Sequence, residues 1–197
     1  SRELHELAPT AEQESLGDFQ LRCSEQLSGH DYYRALGETG IQYQPFFQSV
    51  TQLWLAGKSV LGELRSPDSL DDEFKTYQLH PAILDGCLQV LGAAIATETK
   101  RAGQPGIYIP TRIGDIRVYH RPGAHLWCRA RILDEDTNGI VGELRLIDEA
   151  GQVAIELQGV RFESLVNGIH GDLEENVDDW LYELKWQLKE HLIEASS

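Results

Sequence analysis

HPAILDGCLQVLGAAIA, residues 80–96, decides how this chain folds. Ile83, Leu84, Cys87, Leu88, Leu91, Ala94 and Ile95 recur at helical intervals around most of a helical wheel. The spacing therefore predicts a helix apolar on nearly every side, which only a shell of other elements can bury. His80 stands where an N-cap belongs, and Pro81 fills the first helical position, where a missing N–H costs nothing. Two residues break the apolar pattern. Asp85 and Gln89 are four apart, hence stacked on one face, and Gly92 continues their stripe. A carboxylate on a buried helix needs a partner or a chemical task.

The flanks suggest what the shell is made of. DYYRALGETG, residues 31–40, reads as a helix ended by Gly40. QPFFQSVTQLWLAGKSVLGELRSP, from residue 44, alternates apolar and polar positions about a Gly57-Lys58 turn and predicts a β-hairpin. Beyond the polar exit ETKRAGQPG, the segments IYIPTRIGDIRVYH, HLWCRARILD, GIVGELRLID and QVAIELQGVRFESL read as strands, with Asp148 to Gly151 as a hairpin loop. The expected class is α+β, an antiparallel sheet curved around one long central helix. Residues 1–30 are expected to be a linker with a short helix around DFQLRCSEQL, residues 31–166 the folded unit, and 167–197 an acidic linker and the start of another region. In that last region Trp180, Tyr182, Leu184 and Trp186 share one face of an expected strand.

Charge and composition exclude several functions. The formal charge is −15, from 32 acidic and 17 basic side chains, which argues against nucleic acid or an anionic membrane surface as a partner. No stretch is expected to reach the ~20 apolar residues of a membrane span. The three cysteines, Cys23, Cys87 and Cys128, have no CxxC spacing, and Cys87 sits as a small hydrophobe would, so reduced thiols in a cytoplasmic setting are expected. His120 and His125 flank a Pro-Gly turn and read as a solvated loop; no metal-ligand spacing is present. The chain contains no Met, initiator included, and is expected to be a piece of a longer protein.

HPAILDGCLQ, residues 80–89, resembles the HPxxLD-x-x-x-Q/H signature in the second hotdog of dehydratase domains from modular polyketide synthases. GIQYQPFFQSV, residues 40–50, resembles the GxxYGPxFQ motif of the same half-domain, and YIP at 108–110 looks like the strand that follows its helix. DWLYELKWQ, residues 179–187, resembles the junction leading out of the domain. The resemblance implies a hotdog, half of a double hotdog. It implies a substrate delivered on the phosphopantetheine arm of an acyl carrier protein, with no cofactor bound by the domain itself. Partners would be that carrier, the N-terminal hotdog half and neighbouring synthase domains. Asp85 would be the acid that protonates the departing β-hydroxyl, and Gln89 its hydrogen-bonding companion. Tyr43, with Pro45, Gly86, Leu88 and Pro110 from the matching motifs, would line the substrate tunnel.

The chemistry agrees with the residues taken alone. Hydroxide leaves poorly, so β-elimination gains from a positioned acid. An Asp with an ordinary pKa near ~3.9 would be ionised at neutral pH, and burial is what can hold its proton. Two departures from the family pattern stand out. Gln44 occupies the place of the Gly after the tunnel Tyr. None of the seven histidines is followed by Gly four positions on, so the HxxxGxxxxP element that supplies the family's base is absent, and the chain holds half a site. Three readings remain: the acid-bearing half of a working dehydratase, a remnant half-domain with a scaffolding role, or an independent hotdog thioester enzyme that assembles its site by dimerising. Exposed apolar surface left by a missing half would be covered by homodimerisation, or by the 180–186 segment folding back.

Overall fold

A computed structural model describes residues 15–66, 77–103, 106–136 and 139–165. Its elements are α1 (Leu16–Arg22), β1 (Glu25–Ser28), α2 (Gly29–Glu38), a 3-10 turn at Pro45–Phe47, β2 (Val50–Ala56), β3 (Ser59–Arg65), α3 (Pro81–Arg101), β4 (Tyr108–Arg112), β5 (Asp115–Val118), β6 (His125–Asp136), β7 (Gly139–Ile147) and β8 (Val153–Ser164). The strands form one antiparallel sheet in the order β1-β2-β3-β6-β7-β8-β4, with β5 also paired to β8. The sheet curls around α3, as the apolar helix requires. Ile83, Val90, Leu91 and Ile95 are at most 1% exposed, and each such side chain contributes about 1.5–3 kcal/mol by leaving water.

Helix and sheet approach closely because glycine lies beneath the helix. A Cβ on Gly62 of β3 would stand 2.4 Å from Val90 Cγ2, and one on Gly142 of β7 would stand 2.8 Å from Leu91 Cδ2. These contacts fix the rotation of α3 about its axis. At its start the Nδ1 of His80 accepts a hydrogen bond from the Ala82 N–H at 3.1 Å, the expected N-cap. The hairpin turns at Gly57, whose φ of +61° favours glycine, and the loop at 148–151 closes as expected, with the Gly151 N–H donating to the Asp148 carbonyl.

Several expectations are corrected. Residues 25–28 are strand β1 on the edge of the sheet beside β2, so the sheet starts before residue 31. The first strand of the hairpin begins at Val50; Pro45 starts a 3-10 turn instead. Residues 107–120 form two strands, not one. Gly114 donates to the Gln158 carbonyl opposite Gly159, whose φ of +62° kinks β8, so β4 and β5 pair with different halves of it. By length and mean hydropathy α3 does qualify as a candidate membrane span, but here the sheet covers most of it. The Trp180, Tyr182, Leu184 and Trp186 stripe lies outside the described residues, as does the boundary at 166–167.

Candidate active site

One stripe of α3 is left partly open by the sheet: Leu84, Asp85, Leu88 and Gly92 are half-buried and Ala96 is exposed. Asp85 is the acidic member of that stripe. Its Oδ2 accepts a hydrogen bond from Gln89 Nε2 at 2.6 Å; the four-residue spacing stacks the two on one face, and the bond is the one the family resemblance implies. The same amide nitrogen donates to the Phe47 carbonyl at 2.9 Å; Pro45 is exposed at the start of the 3-10 turn that Phe47 ends. The amide oxygen of Gln89 accepts from the Tyr33 hydroxyl at 2.8 Å, and that hydroxyl accepts from the Val50 N–H at 3.0 Å. Gln89 is 4% exposed and each end of its amide is engaged, as a buried amide must be.

Helix α2 supplies two phenols to α3. Tyr33 reaches the Gln89 side chain, while Tyr32, 6% exposed, donates to the Gln89 main-chain carbonyl at 2.9 Å. Tyr43 is half-buried with its ring edge-on to Tyr33, centroids 6.0 Å apart. Burial raises the Asp85 carboxyl above its ordinary range, and the hydrogen bond from Gln89 only partly opposes this. Burial, and then the neighbouring Asp85, also raise Tyr43. The arrangement is a carboxyl biased toward its protonated form, held by one oxygen, beside an open apolar stripe. That suits proton donation to a leaving oxygen.

The structure thus brings Asp85, Gln89 and Tyr43 into one group, with Leu88 one turn along the open stripe. It does not bring in Gly86 or Pro110. Gly86 is buried against Ser49, where a Cβ would come within 2.1 Å of Ser49 Oγ, so its smallness serves packing. Pro110 is exposed on β4 opposite Phe162. Tyr33 and the Phe47 carbonyl are members of the group that the motifs do not mark, whereas Tyr32 binds the α3 main chain and lies outside the side-chain network that reaches Asp85. The tandem Tyr of DYY is the available signal, since hydroxyls on a helix packed against a core need partners.

Among the described histidines, His30 is exposed and His80 caps α3. His120 bonds to Asp148 at 2.9 Å, and His125 sits between Glu63 at 2.8 Å and Glu149 at 2.9 Å. None of these bonds reaches Asp85. Among the described residues no group of three or more ligating side chains could hold a metal. Cys87 and Cys128 are buried free thiols, and burial pushes the Cys87 thiol well up.

The family model described as polyketide synthase dehydratase N-terminal domain matches residues 11–172. The chain belongs to the polyketide synthase dehydratase family. It is 35% identical over 136 residues to a phenolphthiocerol/phthiocerol polyketide synthase of Mycobacterium tuberculosis, a stretch that is 68% of this chain and 7% of that relative. It is 29% identical over 169 residues to polyketide synthase PksL of Bacillus subtilis, covering 82% of the chain and 4% of the relative. Among solved structures, the dehydratase domain from the CurF module of the curacin polyketide synthase superposes with a TM-score of 0.66 at 31% identity, over 77% of this chain and 52% of that one. The CurK dehydratase of the same synthase gives 0.66 at 28%, over 80% and 54%. The chain therefore spans under a tenth of these synthases and about half of the solved dehydratase domains. The hotdog expected from the helix and its antiparallel shell is the fold observed.

Proposed function

We propose that this dehydratase chain is the C-terminal hotdog half of its domain, and that Asp85 is the acid of the elimination. The observation that carries this is the half-buried Asp85 carboxyl, raised by burial, anchored through Gln89 and set on the open stripe of α3. The name of the matching family model refers to an N-terminal domain; the assignment to the C-terminal half rests on the HPAILDGCLQ and GIQYQPFFQ motifs. The substrate is a β-hydroxyacyl thioester on the phosphopantetheine of an acyl carrier protein, and the setting is a cytoplasmic synthase. A base from the other half removes the α-proton, and the freed electron pair forms the Cα=Cβ bond. The Cβ–O bond breaks as Asp85 gives its proton to the departing oxygen, so water leaves and Asp85 ends as a carboxylate. Tyr43 and Leu88 line the acyl path. The base is a His of the N-terminal half: structures of the CurK dehydratase include one described as an inactive His→Phe mutant and one as an inactive Asp→Asn mutant.

In the intact protein, Asp85→Ala should abolish loss of water from the carrier-bound β-hydroxyacyl thioester while carrier binding persists, as followed by mass spectrometry. Turnover surviving the substitution would mean that the acid is another residue. A second reading is a remnant half-domain with a scaffolding role. A His-x-x-x-Gly element upstream of Ser1 in the full-length protein would decide for the catalytic reading. We also propose that the open stripe and the β4–β5 edge, with Ile109, Ile116 and Val118 exposed, are covered by the other half, or by self-association when that half is missing.

A further inference from the structure

We propose that Tyr33 is a positioning residue for the proposed dehydration, acting through Gln89 to fix which oxygen of Asp85 carries the transferable proton. The inference rests on that reading of Asp85. The Val50 N–H donates to the Tyr33 oxygen at 3.0 Å, so the single phenolic hydrogen is directed elsewhere. It goes to the Gln89 amide oxygen at 2.8 Å in preference to the Phe47 carbonyl at 3.5 Å. With its oxygen held by Tyr33, the Gln89 amide must turn its NH2 the other way. Its two hydrogens then go to the Phe47 carbonyl at 2.9 Å and to Asp85 Oδ2 at 2.6 Å. Because Oδ2 accepts a hydrogen bond, the proton of neutral Asp85 resides on Oδ1. One backbone N–H in β2 thereby sets the direction of a chain of bonds that ends at the acid.

Among the described residues, the other titratable groups near Asp85 are Tyr32 and Tyr33 on α2, Tyr43 on the following loop and Cys87 on its own helix. Burial raises all four above their ordinary values, so they stay neutral across the range in which Asp85 titrates. Tyr32 provides a matched control. It is on the same helix, is buried, and donates to the same residue, but to the main-chain carbonyl.

The experiment compares Tyr33→Phe with Tyr32→Phe in the intact protein. Tyr33→Phe should lower kcat by roughly tenfold to a hundredfold through misplacement of the acid, with KM little changed. The alkaline limb of the kcat profile should move to higher pH, because Asp85 loses the hydrogen bond that lowers its pKa. Tyr32→Phe should leave both unchanged. Carbon-13 NMR titration of the Asp85 carboxyl in this chain supplies a readout that needs no turnover: its midpoint should rise in Tyr33→Phe and not in Tyr32→Phe. If Tyr33→Phe does not fold, Gln89→Leu cuts the same link from its other end and should raise the midpoint likewise. Equal behaviour of the two Phe variants, or an Asp85 midpoint unmoved by loss of Tyr33 or Gln89, would overturn the proposal. Wild-type protein that fails to dehydrate while the midpoint still responds to Tyr33 would instead overturn the dehydratase reading and leave the linkage standing.

Discussion

The position of Asp85 depends on the seating of α3, and a double-mutant cycle at Gly62 and Val90 tests that seating. A Cβ added to Gly62 would come 2.4 Å from Val90 Cγ2 and 3.1 Å from Val90 Cγ1, with Leu53 Cδ2 at 3.4 Å behind them. Val90 and Leu53 are both 0% exposed, so neither can swing into solvent, and Gly62→Ala should destabilise by about 1–3 kcal/mol through overpacking. Val90→Ala removes two methyl groups at about 0.8 kcal/mol each, giving ~1.6 kcal/mol before any cavity cost. Simple addition predicts a loss of about 2.6–4.6 kcal/mol for the pair. In the double variant, however, the new methyl occupies space that the Val90 methyls have left. The net change is then about one methyl group, a loss near ~0.8–1.6 kcal/mol. The expected coupling is about 2–3 kcal/mol, near the top of the range for side chains in contact. Urea unfolding of the four proteins, followed by Trp fluorescence, measures it, provided the m-value is unchanged. Losses that add to within ~0.5 kcal/mol would show that Gly62 does not face Val90. The rotation of α3 that brings the adjacent Gln89 to Tyr33 would then be wrong.

Three further outcomes are expected. Asp85 is raised by burial, so its folded state holds a proton more tightly than the unfolded chain, and stability present at acid pH is lost as pH rises from near ~3.9 through the folded value. Asp85→Asn should therefore stabilise the chain at pH 7 in urea titrations, with the gain vanishing as the pH falls below ~3.9. Phe19, 1% exposed, has the Arg22 and Arg129 guanidiniums 4.3 and 5.1 Å from its ring centroid; Phe19→Ala should cost about 3–5 kcal/mol, and a change under ~1 kcal/mol would mean that α1 is not docked there. Light scattering of this chain over a range of concentrations should show a concentration-dependent rise above the monomer mass. A constant monomer mass would refute covering of the open stripe by self-association.

How far the sequence revealed this site depended on the distance over which each contact acts. The Asp85–Gln89 bond spans one helical turn, so spacing placed the two residues on one face and the family motif implied the bond between them. The cap at His80, the turn at Gly57 and the hairpin loop at 148–151 were legible because they too are local. The split of 107–120 into β4 and β5 was not, because it is imposed by the kink at Gly159, some 45 residues away in sequence. Nor was β1, a four-residue edge strand defined by its long-range pairing with β2. Tyr33 and Gln89 are 56 residues apart, and the bond between them exists only because Val90 and Leu91 seat α3 over Gly62 and Gly142. The polar group at Asp85 is thus a consequence of apolar packing: the glycines set the rotation of the helix, the rotation sends Gln89 toward α2 and the 3-10 turn, and the bonds formed there orient the carboxyl on the open stripe.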